Sequence, residues 1–202
     1  MPRRPPINPQ GYYHVGSRGS YGRPLFRSVA EHELFLSLYE RAAKKYRWRT
    51  LTWTLVHNHH HVVLRLTDGG LSAGMRELHG MFSRRLNAAD GLTGMGHLVR
   101  HAFFARELLN DAEILIACRY VDLNHTRATG VDPTGARWSG FSATIGIAPR
   151  RPFHDPREVL ALADRDAFRA KRTYRRFVYE GLAEESQGPS PNDGYETRAA
   201  HG

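Results

Sequence analysis

Four of the five residues from His57 to His61 are histidine, in the run His57-Asn58-His59-His60-His61. The run lies between two β-rich stretches, residues 50–56 and 62–66. A strand turns successive side chains to opposite faces, so His59 and His61 share one face and His60 takes the other. Two imidazoles at neighbouring same-face positions can grip one cation while the strand holds both rings. A histidine-rich tract is also met as a fortuitous surface feature or a weak metal-scavenging loop, and spacing alone leaves both readings open.

The elements that must position these side chains follow from hydrophobic period and punctuation. Residues 12–17 read as a first strand, closed by Arg18-Gly19-Ser20. Ser28 caps a helix in which Leu34, Phe35, Leu38 and Ala42 recur at helical spacing to about residue 46. A hairpin follows, with polar and apolar residues alternating over 50–55, a tight turn at His57-Asn58 and a return strand over 59–66. On the return strand His59, His61, Val63 and Arg65 share one face. His60, Val62, Leu64 and Leu66 form the more apolar set, expected against the core. Gly69-Gly70 precedes a second helix over 71–88, striped by Met75, Leu78, Phe82 and Leu86. A flexible loop at 91–96 and a strand within 101–108 lead to a third helix capped by Asp111, which carries Ile114, Cys118, Tyr120, Val121 and Asn124. Residues 130–142 read as a loop anchored by Trp138 and Phe141, and one helical segment spans 155–185. This order of strand, helix, strand, strand, helix, strand predicts an α+β fold. The expected form is a ferredoxin-like or RRM-like antiparallel sheet with helices on one face, plus a C-terminal Arg-rich helical extension. The opposite sheet face would be left free and would expose His59 and His61.

Composition narrows the partners. The 202 residues suit one packed domain with an appendage, and 41% of them are hydrophobic. No apolar run reaches membrane-spanning length, and the basic Met1-Pro2-Arg3-Arg4-Pro5-Pro6 lacks the apolar core of a signal peptide. The single cysteine, Cys118, excludes a disulfide within the chain and a Cys-rich zinc ribbon. A cytoplasmic location is expected, with no membrane partner. The net charge of +9 comes from 29 Lys and Arg against 20 Asp and Glu, and most of the bases are arginine. Arginine forks match phosphate oxygens in pairs, so a nucleic acid is the expected polyanion, although an arginine-heavy codon bias would give the same balance.

Three motifs, Tyr13-His14-Val15-Gly16-Ser17-Arg18-Gly19, His59-His60-His61 and Tyr120-Val121-Asp122-Leu123-Asn124, stand in an order and at separations that resemble the single-tyrosine HUH transposases. Within that group the chain is most similar to the transposases associated with repetitive extragenic palindromes (REP) and to their insertion-sequence relatives. The resemblance spans residues 12–141, and the Arg-rich segment to Leu182 is similar to the extension of the palindrome-associated branch. It implies a catalytic domain over 12–148, preceded by a basic Pro-rich arm (1–11) and followed by the Arg-rich helical extension (149–186) and a disordered tail (187–202).

The resemblance also implies roles. Tyr120 would be the nucleophile, taking the 5′ phosphate of a cut strand and releasing a free 3′ hydroxyl. His59, His61 and Asn124 would hold Mg²⁺ or Mn²⁺. The partner would be single-stranded or hairpin DNA, and the extension favours a monomer over a homodimer. Candidate phosphate contacts are Arg18, Arg84, Arg85, Arg100 and Arg106, with Arg169, Arg172 and Arg176 on the extension. Three departures stand out. His60 replaces the usual hydrophobic residue, either as a buried neutral imidazole or as a competitor for metal; His57 replaces a proline, and His125 follows Asn124 where the family has proline. Taken singly, Tyr120 could be a packing residue and Asn124 a helix-end residue, while Tyr174 and Tyr179 are rival tyrosines. A rolling-circle initiator or relaxase, a catalytically silent hairpin-binding module and a structural zinc protein are the alternatives; the lack of thiolates argues against the last.

Overall fold

Ser28 shows how closely local chemistry sets the elements. Its backbone is extended (φ −141°, ψ 162°) and its hydroxyl accepts from the Glu31 N–H, opening helix α1 (Val29–Lys45), which closes on Lys44 and Lys45 at the negative end of the helix dipole. The computed structural model describes residues 7–20, 24–91, 98–99 and 103–185. Most of the basic arm, much of the loop after residue 91, Arg100 and the tail from 187 lie outside the described residues.

Strand β1 (Tyr12–Arg18) precedes α1, and β2 (Arg49–Val56), β3 (His59–Arg65), α2 (Leu71–Ala89), β4 (Phe104–Leu108) and α3 (Asp111–Thr129) follow. The sheet has the order β2-β3-β1-β4, with every neighbouring pair antiparallel. The α+β class and the ferredoxin-like order are as expected. The hairpin turn falls on His57-Asn58, as the sequence indicates. Helix α3 starts one residue earlier than read: the cap is Asn110, whose side chain accepts from the Glu113 N–H at 2.9 Å, and Asp111 is the first helical residue. The helix closes on Gly130 in the left-handed conformation (φ 73°), where a side chain would be strained.

One face of the sheet meets α1 and α2. Tyr13, Val15, Trp53, Leu55, Val62 and Leu64 form a core there with Phe35, Tyr39, Met75, Leu78 and Phe82. His60 points to this side, as the strand period requires, and is fully buried.

The other face is not free, which corrects the expectation of helices on one side only. Helix α3 lies across it, and Val63 and Leu51 form a second core with Ile114, Ala117, Cys118 and Val121. The physical reason lies in α3 itself. Residues 117, 118, 120, 121, 122, 123 and 124 are all buried, so this helix is buried on more than one side and needs cover on both. The sheet covers one side. The other is covered by two further helices, α5 (Arg157–Ala163) and α6 (Ala167–Glu185), through Val159, Tyr174 and Val178; between α3 and α5 lies one turn of helix, α4 (Phe141–Thr144).

The segment read as one helix over 155–185 is therefore two. Asp164 is extended (φ −157°, ψ 136°) and accepts from the Asp166 N–H, while Asp166 accepts from the Phe168 N–H, so these short carboxylates end one helix and start the next. Ala170, Tyr174 and Val178 recur every fourth residue on the buried stripe of α6, and Arg169, Arg172 and Arg176 lie outside it. Among the described residues no helix is long and apolar enough to cross a membrane.

Candidate active site

The second sheet face ends in a histidine cluster under α3. Register places Gly16 opposite His61 and Arg18 opposite His59, so Tyr12, His14, Gly16 and Arg18 line the same face as the two histidines. The His59 and His61 rings stand 5.1 Å apart. From α3, Tyr120 sets its ring 5.6 Å from His61 and 5.5 Å from His14. One helical turn on, the Asn124 Oδ1 lies 2.6 Å from His59 Nε2. The structure thus brings Tyr120, His59, His61 and Asn124 together.

The donor atoms suit a cation. Asn58 Oδ1 lies 2.7 Å from His59 Nδ1, so a neutral ring that donates there turns the lone pair of Nε2 toward the Asn124 oxygen. Two lone pairs at that distance call for a positive charge between them, a proton or a metal ion. His61 Nε2 is buried with no hydrogen-bond partner, an orphan that a metal ion would satisfy. His61 Nδ1 lies 3.1 Å from His14 Nε2. With His61 Nδ1 donating, Nε2 keeps its lone pair, which is the tautomer a ligand needs. Gly16 makes room for this pair: a Cβ there would come within 2.7 Å of His61 Nδ1. Among the described residues no three or more His, Cys, Asp and Glu side chains gather around one point, so the set rests on two imidazoles and one amide.

His60 is the buried neutral imidazole of the two options considered. It faces His79 across 3.0 Å in the first core, on the far side of the sheet from His59 and His61. His57 is exposed at the turn.

Burial holds several histidines neutral. It pushes His14 down to about 3, with the Arg106 charge adding to it, and His79 and His154 down to about 4; His60 and His61 also fall well below the ordinary range. Each stays unprotonated in the fold and takes up a proton on unfolding below about pH 6.5. Their contribution to stability is present above that pH and is lost as pH falls toward the folded values, at about 1.4 kcal/mol per pH unit for each proton. Asp122 runs the other way. Burial raises it to about 7, so its share is present below about pH 4 and is lost as pH rises to 7. The histidines outnumber it. The melting temperature is therefore expected to drop steeply between pH 6.5 and 4.5 in scanning calorimetry, and a flat or rising profile would contradict this assignment of burial.

Asp122 also fixes the helix that carries Tyr120 and Asn124. It accepts from Thr52 on β2 and, at 2.6 Å, from the Tyr174 hydroxyl on α6. Of the rival tyrosines, Tyr174 is thus buried and hydrogen-bonded, and Tyr179 donates to Asp132.

The arginines divide by face. Arg18 and Arg106 share the histidine face, Arg106 opposite His14 and 3.6 Å from Glu113. Arg84 and Arg85 are exposed on α2, on the other side of the sheet. Arg169 pairs with Asp164 at 3.3 Å and Arg176 with Glu180 at 3.6 Å, while Arg172 is exposed on the same helix. Sequence reasoning assigned no role to His14 or Arg127. The first could have been found by extending the two-residue period to β1. Arg127 lies 4.9 Å over the Tyr120 ring and donates to the Tyr120 carbonyl at 3.0 Å; its place seven residues after Tyr120, two helical turns on, was the only signal.

No family model matches the chain, and no curated protein matches it. Among solved structures, a REP-associated tyrosine transposase bound to a REP hairpin matches with a TM-score of 0.59 at 16% identity, over 77% of this chain and 93% of that one. A protein of Deinococcus radiodurans described as a transposase matches with a TM-score of 0.41 at 14% identity, over 62% of this chain and 98% of that one. The first likeness bears out, at the level of fold, the resemblance read from the motifs; the second is too slight to add to it.

Proposed function

We propose that the chain is a single-tyrosine HUH transposase, a metal-dependent, site-specific endonuclease and strand transferase for single-stranded hairpin DNA. The observation that carries this reading is the meeting of Tyr120 with His61 while Asn124, one turn along the same helix, meets His59. The shared fold with a transposase that binds a hairpin and the net charge of +9 support it.

In this reading the Tyr120 hydroxyl gives up its proton and attacks phosphorus, the bond to the 3′ oxygen breaks and that oxygen takes up a proton, and the strand stays joined to the protein through a 5′-phosphotyrosine. The phosphodiester energy is kept for a later joining step. A divalent ion held by His59, His61 and Asn124 would polarise the phosphate oxygens. His14 holds the His61 ring, Asp122 holds α3 against the sheet, and Arg127 and Arg18 offer positive charge beside the nucleophile and the histidines.

Incubation of the full chain with end-labelled hairpin DNA tests the proposal. A nick at one position that appears with Mn²⁺ or Mg²⁺ and disappears with chelator is expected; tight hairpin binding with no nick under either ion would leave only a binding module. The α6 arginines give a separate expectation. Converting Arg169, Arg172 and Arg176 together to Gln should flatten the slope of log affinity against log salt by roughly two units, equally for matched and scrambled hairpins. An unchanged slope would make this helix face a merely solvated one.

A further inference from the structure

A second basic feature lies at the outer edge of β2. Two segments cap that edge: Gly140 N–H donates to the Trp53 carbonyl, and Asp155 N–H donates to that of Thr50. Between them opens a cavity of about 460 Å³ lined by Arg137, Arg150, Arg151, Ser139 and Trp53. A neighbouring cavity of about 480 Å³ shares Arg150 and Arg151 and adds Arg157. Arg151 is committed to Glu33 at 2.7 Å, and Arg157 to Asp155. Arg137 and Arg150 are exposed and make no ion pair among the described residues, Arg137 lying 4.8 Å over the Trp138 ring.

The wall carries an unmet donor. Trp53 is 4% exposed, and its indole Nε1, which can only donate, has no hydrogen-bond partner. A buried donor left alone is costly, and an acceptor oxygen in the cavity would satisfy it. Gly140 keeps space at that edge of the indole. Its backbone is ordinary helical (φ −76°, ψ −17°), so any residue could adopt it, but a Cβ there would come within 3.1 Å of Trp53 Nε1. Two guanidinium groups, the Ser139 hydroxyl and an N–H donor make a setting rich in donors and positive charge, which fits a tetrahedral oxyanion. Thr54, the neighbour of Trp53, pairs with His61. Trp53 itself faces the first core, on the opposite side of the sheet from His61, so the cavity sits at the outer edge of β2 and a bound strand would pass round that edge from the histidine cluster.

We infer that this cavity is a phosphate site and that it seats one backbone phosphate of the bound nucleic acid strand. The choice of nucleic acid over free phosphate rests on the function proposed above; the oxyanion chemistry does not.

The test uses the full chain labelled with ¹⁵N, whose three tryptophans give three indole N–H resonances. Titrated inorganic phosphate should move the Trp53 resonance downfield and saturate. The Trp48 indole N–H, also buried and without a partner but packed beside Tyr46, should stay in place and serves as the control. Arg137→Gln with Arg150→Gln should abolish the Trp53 shift while leaving the Trp48 resonance where it was, which shows the fold intact. A hairpin with a single-stranded flank should displace the phosphate, and the double variant should bind that DNA about ten-fold more weakly with a salt slope flatter by roughly one unit. No saturable Trp53 shift, or the same shift in the double variant, overturns the site. Phosphate binding that DNA does not displace overturns its assignment to the strand. A Trp53 shift and displacement by DNA in a protein that never forms a tyrosine adduct would uphold the cavity and fault the nuclease reading alone.

Discussion

Tyr120→Phe is expected to abolish covalent attachment to DNA and to lower nicking by at least about a thousand-fold, while hairpin affinity stays within about two-fold. The change removes one oxygen from a residue that is 6% exposed and leaves its ring contacts with His14, His61 and Arg127 in place. Loss of chemistry without loss of binding is the signature of a nucleophile. A packing tyrosine would show the reverse, with full cleavage and lower stability. Tyr174→Phe is the contrast: it deprives buried Asp122 of a donor and is expected to destabilise the fold by about 1–3 kcal/mol without removing the adduct. A covalent band that survives Tyr120→Phe and vanishes with Tyr174→Phe would transfer the role.

The histidines should separate by face. His59→Ala and His61→Ala are each expected to weaken Mn²⁺ binding and to reduce metal-dependent cleavage by about a hundred-fold or more. His60→Ala should keep the metal response and instead lose stability, by about 2–4 kcal/mol, because it opens a void in the first core and leaves His79 without its partner. Mn²⁺ titration calorimetry and thermal melts read the two effects apart. Loss of metal binding in His60→Ala with retention in His61→Ala would mean that the strand register is wrong.

The sheet was legible because its signals are local. The two-residue period across 59–66 put His59 and His61 on one face and His60 in the core, and the structure agrees. The turn at His57-Asn58 and the stripe Met75, Leu78, Phe82, Leu86 could be read the same way. What failed was the judgement that the histidine face is open. It followed from the order of the elements, which assigned the helices to one face of the sheet and left the other uncovered. The burial of that face is set by α3, whose middle is covered on more than one side, and by Tyr174 and Val178 more than fifty residues further on. The pair Asp122–Tyr174 was invisible for the same reason, since neither residue marks the other at a separation of 52. Tyr120 and Asn124 could be placed on one helical face by their spacing, but only the fold sets that face against the histidines.

The central claim is that Tyr120 is the atom source of the bond to DNA, and the most direct measurement maps that bond. The full chain is incubated with hairpin DNA and Mn²⁺, the complex is digested with protease and nuclease, and the peptide that retains a nucleotide is sequenced by mass spectrometry. The account predicts one modified residue, Tyr120, bearing a 5′-linked nucleotide, with a free 3′ hydroxyl on the other fragment. A nucleotide on any other residue, or a nicked hairpin with no modified peptide, would contradict it.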